Sequence, residues 1–148
     1  MNLELRKLVK EHNIDGEDNF NSRLAFAISC VERVAHLLTD EAIQIAFTEG
    51  KKFLKGECSI QQLQQAAAFA KQAATSHAGS NSLDGSGNAA VSVSHAVAWA
   101  LAGKAIEAAE YSAYAKVYSY SSSAVSDPSA YQSEYLWQVN QFRKLLSN

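Results

Sequence analysis

Four histidines are the side chains best suited to metal chemistry, and they are widely separated: His12, His36, His77 and His95. Glu32 precedes His36 by four residues, so the two could share one face of a helix and offer two ligands. A zinc site takes three or four protein ligands, which this pair does not supply. We therefore expect no metal site. His95 lies four residues before Trp99, and this spacing predicts a histidine that is hydrogen-bonded at the edge of the core.

Nucleophilic catalysis needs an activated serine or cysteine with a base in reach. No serine lies in a G-x-S-x-G turn. Cys30 and Cys58 stand alone, so each is expected to be a small buried residue rather than a disulfide partner. The segment 79–87, GSNSLDGSG, lacks the Lys-Ser or Lys-Thr pair of a phosphate-binding loop and is expected to be a flexible connection. The sequence therefore predicts no catalytic residue and no cofactor.

An acidic and aromatic stripe is the strongest candidate for a binding surface. Its members recur at helical spacing after Gly103 and are Glu107, Glu110, Tyr111, Tyr114 and Tyr118. Tyrosine offers a large contact area at low entropic cost, and glutamate favours a basic partner. The favoured interpretation is structural, with the tyrosines packing against a neighbouring helix on which Tyr131 and Tyr135 are the facing partners. The stripe is nevertheless the best candidate for a surface that binds another protein.

The composition indicates which elements carry these residues. The 148 residues include 25 alanines, seven glycines and one proline, which favours an all-α protein because alanine is the best helix former and proline the worst. This length suits one domain. A net charge of −2 and a pI near 6.1 argue against binding to nucleic acid or to an anionic membrane as the main activity. The alanine side of the stripe helix is predicted to be its packed face: Ala105, Ala108, Ala109, Ala113 and Val117.

Start and stop signals divide the chain into six or seven antiparallel helices in a close-packed, alanine-rich bundle spanning residues 1–148. The predicted segments are Leu3–His12, a helix from Asn21 or Ser22 to about Leu38, one from an N-cap at Thr39 to Lys55 and Gly56, Ile60–His77, Ala89–Ser121 after a cap at Asn88, and a last helix from Asp127-Pro128 to about Leu146. Residues 89–121 form one long helix or two joined at Gly103. The predicted core anchors are Trp99, Trp137, Phe26, Phe47, Phe53, Phe69 and Phe142.

Membrane insertion and secretion are both unsupported by sequence. Residues 85–103 carry no charged side chain, but serine, asparagine and histidine interrupt the segment and alanine contributes little to transfer into lipid. The first eleven residues, MNLELRKLVKE, lack the apolar stretch of a secretory signal. We expect a cytoplasmic protein that does not insert into a membrane.

Several phrases of the sequence resemble a known family. They are the run C-V-E-R-V at 30–34, the alanine-rich stretches 65–78 and 89–115 with His95 and Trp99, and the segment 134–138 that ends in Trp137-Gln138. Together they resemble the alanine-rich, all-helical immunity proteins of bacterial polymorphic toxin and contact-dependent inhibition systems. The resemblance spans roughly residues 22–146.

The resemblance implies a stoichiometric inhibitor that protects the producing cell by binding a cognate toxin domain, without chemistry of its own. Two other hypotheses follow from the residues. One is a helical metal- or small-molecule-dependent enzyme built around Glu32, His36, His77 and His95. The other is a self-associating helical scaffold that uses the tyrosine stripe. The sequence leaves the oligomeric state open.

Overall fold

The computed structural model describes residues 1–76 and 86–147, and within them it contains helices and no β-strand. This confirms the predicted all-α fold. The α-helices are α1 Leu3–Glu11, α2 Phe20–Glu32, α3 Glu41–Leu54, α4 Ile60–Ser76, α5 Ser86–Leu101, α6 Ala105–Tyr118 and α7 Gln132–Leu146. Short 3₁₀ helices cover Glu17–Asn19, Ala35–Leu37, Ser122–Ser126 and Pro128–Tyr131. None of the helices in the described ranges is long and apolar enough to cross a bilayer.

Local polar signals set several helix ends. The α3 helix is capped by Asp40, whose Oδ1 accepts hydrogen bonds from the backbone N–H groups of Ala42 and Ile43 at 2.9 and 3.3 Å. The predicted cap at Thr39 is therefore wrong by one residue. At the start of α4, Ser59 and Gln62 form a reciprocal capping box with bonds of 2.7 and 3.1 Å.

The predicted second helix is interrupted before Leu38. Helix α2 ends at Glu32, and Val34 leaves the helical region with φ −123° and ψ 6°. Both Val34 and Leu38 are nevertheless buried in the main core. Their spacing of four residues would place them on one face of a continuous helix as well, so the periodicity of apolar residues does not reveal this break.

The question of one helix or two around Gly103 is settled by a left-handed turn. Gly103 has φ +76°, and its N–H bonds to the carbonyl of Ala100 while the N–H of Lys104 bonds to that of Trp99, each at 3.0 Å. These two bonds form a Schellman motif. A Cβ at Gly103 would lie 2.7 Å from Cε2 of Phe20. The glycine therefore ends α5 and also permits close approach of α2.

The core is built mainly from small side chains. Helix α5 packs against α6 and α4, and α4 also packs against α3. Short alanine side chains permit these close approaches, and larger residues fill the margins. Two aromatic anchors join α2 to α7, because the rings of Phe26 and Phe142 are buried and meet edge to face with centroids 5.3 Å apart.

The predicted aromatic anchors divide into two groups. Phe26, Phe47 and Phe142 are buried, whereas Phe53 and Trp137 are partly buried against the core. The prediction is wrong for Phe69 and Trp99, which are 53% and 36% exposed. Alanines occupy the inner faces of their helices, so these two large rings fall on the outer side or at the boundary.

Two predictions concern residues outside the described ranges. They are most of the loop 79–87 and the end of the fourth helix at His77. Helix α5 begins at Ser86, so the last two residues of that segment belong to the helix. Asn88 accordingly lies inside α5 and does not cap it. At the other restart, Asp127 accepts a hydrogen bond from the N–H of Ser129 at 3.0 Å, as predicted for a cap before Pro128. The segment that it caps is the 3₁₀ helix Pro128–Tyr131, so the last α-helix begins at Gln132 and not at Pro128 as predicted.

Candidate partner-binding surface

Helix α6 positions the acidic and aromatic stripe by burying the opposite side. The side chains predicted to pack are all buried: Ala105, Ala108, Ala109, Ala113 and Val117. Their burial turns Glu107, Glu110, Tyr111, Tyr114 and Tyr118 toward the surface, where each is at least partly exposed. The structure thus places the five predicted residues along one side of α6.

The tyrosines of the stripe continue into a longer row of rings. Tyr114 meets Tyr111 edge to face with centroids 6.0 Å apart, and it meets Tyr131 in the same way at 5.9 Å. Tyr131 in turn stacks on Tyr135 at 5.5 Å. Tyr131 is therefore a facing partner of the stripe, as the structural interpretation predicts, and Tyr135 stacks on Tyr131 and not on a ring of the stripe. The row orders Tyr114 while leaving it 36% exposed.

The two glutamates of the stripe differ in their surroundings. Glu110 forms an ion pair with Arg6 of α1. Glu107 makes no ion pair with any residue in the described ranges. Its carboxylate is the more available of the two for a cation on another molecule.

The phenol groups at the far end of the row are held in the neutral form. Burial, followed by the nearby phenol of Tyr114, raises the pKa of Tyr131 to about 12. The hydroxyl of Tyr131 donates to the carbonyl of Val125 at 3.1 Å. Burial also raises the pKa of Tyr135, whose hydroxyl accepts a hydrogen bond from the N-terminal ammonium at 2.8 Å. These contacts fix the two rings that support Tyr114.

The histidines are not gathered into a metal centre. Within residues 1–76 and 86–147, no three His, Cys, Asp or Glu side chains are arranged to hold an ion. Glu32 forms a 3.2 Å ion pair with Lys51, and His36 is exposed. His95 lies against Tyr111, with ring centroids 5.2 Å apart. His77 is outside the described residues.

The cysteines are both free. Cys30 is fully buried, and burial together with the charge of Glu134 raises the pKa of its thiol. A thiol in this setting stays protonated and behaves as a small apolar group. The expectation of burial is wrong for Cys58, which is half-buried and has its sulfur 3.5 Å from the carbonyl of Glu49.

Two of the phrases that carry the family resemblance, C-V-E-R-V and the segment 134–138, meet in space. Arg33 of the C-V-E-R-V run forms a two-pronged ion pair with Glu134, at 2.8 and 2.9 Å, and its guanidinium lies 4.2 Å from the ring centre of Trp137. The hydrogen bond to Glu134 raises the pKa of Arg33. Glu134 is buried. The pair therefore joins α2 to α7 and is a structural feature that the sequence analysis did not predict.

Gln138 extends this junction to two more helices. Its side chain is fully buried, and its Nε2 donates to the carbonyl of Ala109 at 2.9 Å. Its Oε1 accepts a hydrogen bond from Asn2 at 3.1 Å. The Trp137-Gln138 phrase therefore joins α7 to α6, to the start of α1 and to the end of α2.

The fold defines an all-α protein that carries tyrosine and glutamate side chains, each at least partly exposed, along one side of α6. Residues 21–145 match the family model described as Imm-5 like putative immunity protein. The chain belongs to this Imm-5-like immunity protein family. No curated protein and no solved structure matches the chain.

Proposed function

We propose that this protein binds and neutralises a cognate toxin domain in the cytoplasm of the cell that produces both. The observation that carries the proposal is the family match over residues 21–145. The toxin would belong to a polymorphic toxin or contact-dependent inhibition system. The immunity protein would act by stoichiometric binding, with no cofactor and no catalytic step.

We propose that the α6 stripe forms part of the toxin-binding surface. Tyr114 supplies an aromatic side chain that is exposed yet held in place by two neighbouring rings. An ordered side chain loses less entropy on binding, so more of its contact energy contributes to affinity. Glu107 lies on the same side of α6 and adds a carboxylate that pairs with no cation among the described residues. The two residues favour a toxin surface that is basic and partly apolar.

Growth rescue tests the proposal. The toxin domain encoded by the adjacent reading frame is induced in a bacterial host, with or without this protein, and growth is followed. Co-expression should restore growth, and the two chains should co-purify as a complex. A catalytically inactivated toxin variant provides the protein for binding measurements. Absence of both rescue and complex formation would contradict the proposal.

A further inference from the structure

A cleft of about 460 Å³ opens between α4, α5 and α6. It is lined by four alanines, Ala67, Ala68, Ala98 and Ala102, and by the rings of His95, Trp99 and Tyr111. This volume is within the range of pockets that receive small ligands or single side chains. Most of its exposed surface is apolar.

The cleft exists because the two facing helices carry alanine where a larger side chain would fill the gap. Ala68 and Ala102 are exposed, so their methyl groups leave the space open to solvent. Trp99 borders this space and is 36% exposed, although tryptophan is usually highly buried. An open apolar space beside a tryptophan is the arrangement that accepts an anchoring side chain at a protein interface.

Two lysines border the cleft. Lys71 and Lys104 line it, and no carboxylate is among its lining residues in the described part of the chain. Neither lysine forms an ion pair with another residue in the described part of the chain. The protein as a whole carries a net charge of −2, so this cationic border is a local feature. It favours an occupant with negative charge next to an apolar group.

We propose that the cleft receives an apolar side chain of an acidic segment of the toxin domain. The inference rests on the proposed function and assigns that partner a second chemical feature, because the α6 stripe favours basic groups. Tyr111 belongs to both surfaces, since it lies in the stripe and lines the cleft. One partner can therefore contact both, with a basic region over Glu107 and an acidic segment over Lys71 and Lys104.

Filling the cleft tests the apolar part of the proposal. Ala68→Phe and Ala102→Phe place a ring at exposed cleft positions, and Asn140→Phe places one at an exposed position of α7, a helix that does not line the cleft. Kd for the inactivated toxin domain is measured by isothermal titration calorimetry. Each cleft variant should bind at least about ten-fold more weakly than wild type, a loss typical of a central interface residue, and Asn140→Phe should not. Circular dichroism checks that all variants fold.

Charge reversal tests the acidic part. Lys71→Glu and Lys104→Glu should weaken binding and reduce its dependence on salt, because attraction to carboxylates would be lost. Lys55→Glu is the matched control, since Lys55 is exposed and does not line the cleft. Equal affinities for all three variants and the wild type would overturn the assignment of an acidic segment.

A peptide titration tests the cleft without the toxin. The probe is acetyl-Asp-Asp-Phe-Asp-Asp-amide at millimolar concentration, followed through the indole N–H signal of Trp99 in a ¹⁵N spectrum. The signal should shift with saturation, and peptides with alanine for phenylalanine or lysine for aspartate should not produce this shift. Trp137, which is held under Arg33, is the internal control.

The outcomes separate the two proposals. A toxin domain that binds wild type and the cleft variants equally would overturn the cleft assignment and leave the proposed function standing. A toxin domain that does not bind at all would contradict the proposed function. In that case the peptide titration alone tests the proposed role of the cleft. The absence of a saturable shift of the Trp99 indole signal would overturn that role.

Discussion

Arg33 and Glu134, which lie 101 positions apart in the chain, form a two-pronged ion pair with bonds of 2.8 and 2.9 Å. The Glu134 side chain is 3% exposed and that of Arg33 is 34% exposed. Removing the cation leaves a carboxylate buried without its partner. Arg33→Met should lower the free energy of unfolding by about 3 kcal/mol, measured by urea denaturation.

The control for this ion pair is the exposed bond between Arg143 and Glu4, whose side chains are 54% and 57% exposed. Arg143→Met should cost less than about 1 kcal/mol. Combining Arg33→Met with Glu134→Leu should recover part of the stability, because the unpaired charge is gone. Equal losses for Arg33→Met and Arg143→Met would show that the buried pair does not stabilise the junction.

Gly103→Ala should destabilise the protein for two separate reasons. The added Cβ would sit at a φ of +76° and 2.7 Å from Phe20. Gly56→Ala is the matched control, because Gly56 has φ +74° and no neighbouring atom within 4 Å of the added carbon. Both variants should lose about 1–2 kcal/mol from the left-handed backbone. Gly103→Ala should lose about 1–3 kcal/mol more from crowding. Urea denaturation of both variants measures the difference, and equal stabilities would contradict it.

The stability of the protein should fall at alkaline pH. Burial raises the pKa of Tyr131 to about 12 from an ordinary value of 10.0, so the unfolded chain loses this proton first. Stability from this group is fully present below pH 10 and is lost as the pH rises toward 12. The raised pKa values of Cys30 and Tyr135 act in the same direction.

The variant Tyr131→Phe isolates the contribution of this tyrosine. Its free energy of unfolding is measured across the alkaline range beside that of wild type. The variant should be less stable at neutral pH, because the bond to Val125 is lost, and its decline with rising pH should be shallower. Parallel curves would mean that Tyr131 ionises alike in the folded and unfolded chains.

Stripe substitutions test the proposed toxin contact on α6. Glu107→Lys should weaken binding to the inactivated toxin domain by about ten-fold or more, because it reverses the charge offered to a basic surface. Tyr114→Ala should also weaken binding, although it removes ring contacts with Tyr111 and Tyr131 as well. Glu57→Lys, an exposed change at the end of α3, serves as the control. Unchanged Kd values for both stripe variants would place the toxin on another face.

Features encoded by neighbouring residues were predictable from sequence. The alanine periodicity of α6, the glycine stop after α3 and the cap at Asp127 each show in residues within a few positions of one another. The break at Gly103 is one of two alternatives, because a glycine is tolerated inside a helix and also ends one. In the structure Gly103 adopts the left-handed conformation and ends α5 with two capping hydrogen bonds.

Features that depend on distant parts of the chain were not predictable. Nothing in the sequence around Arg33 or Glu134 indicates that these two side chains form an ion pair. The helices that carry Phe69 and Trp99 have alanine on more than one face, so the spacing of apolar residues does not identify the buried face. The prediction that both rings lie in the core is therefore wrong. The cleft beside Trp99 exists only because three helices leave a gap. It became apparent only from their packing.

Calorimetric titration of the inactivated toxin domain into the purified wild-type protein tests the central claim most directly. We predict a saturable complex of one immunity protein with one toxin domain, and a lower affinity of the toxin domain for the Glu107→Lys variant than for the wild-type protein. A titration without heat of binding, together with separate elution of the two proteins on gel filtration, would contradict it.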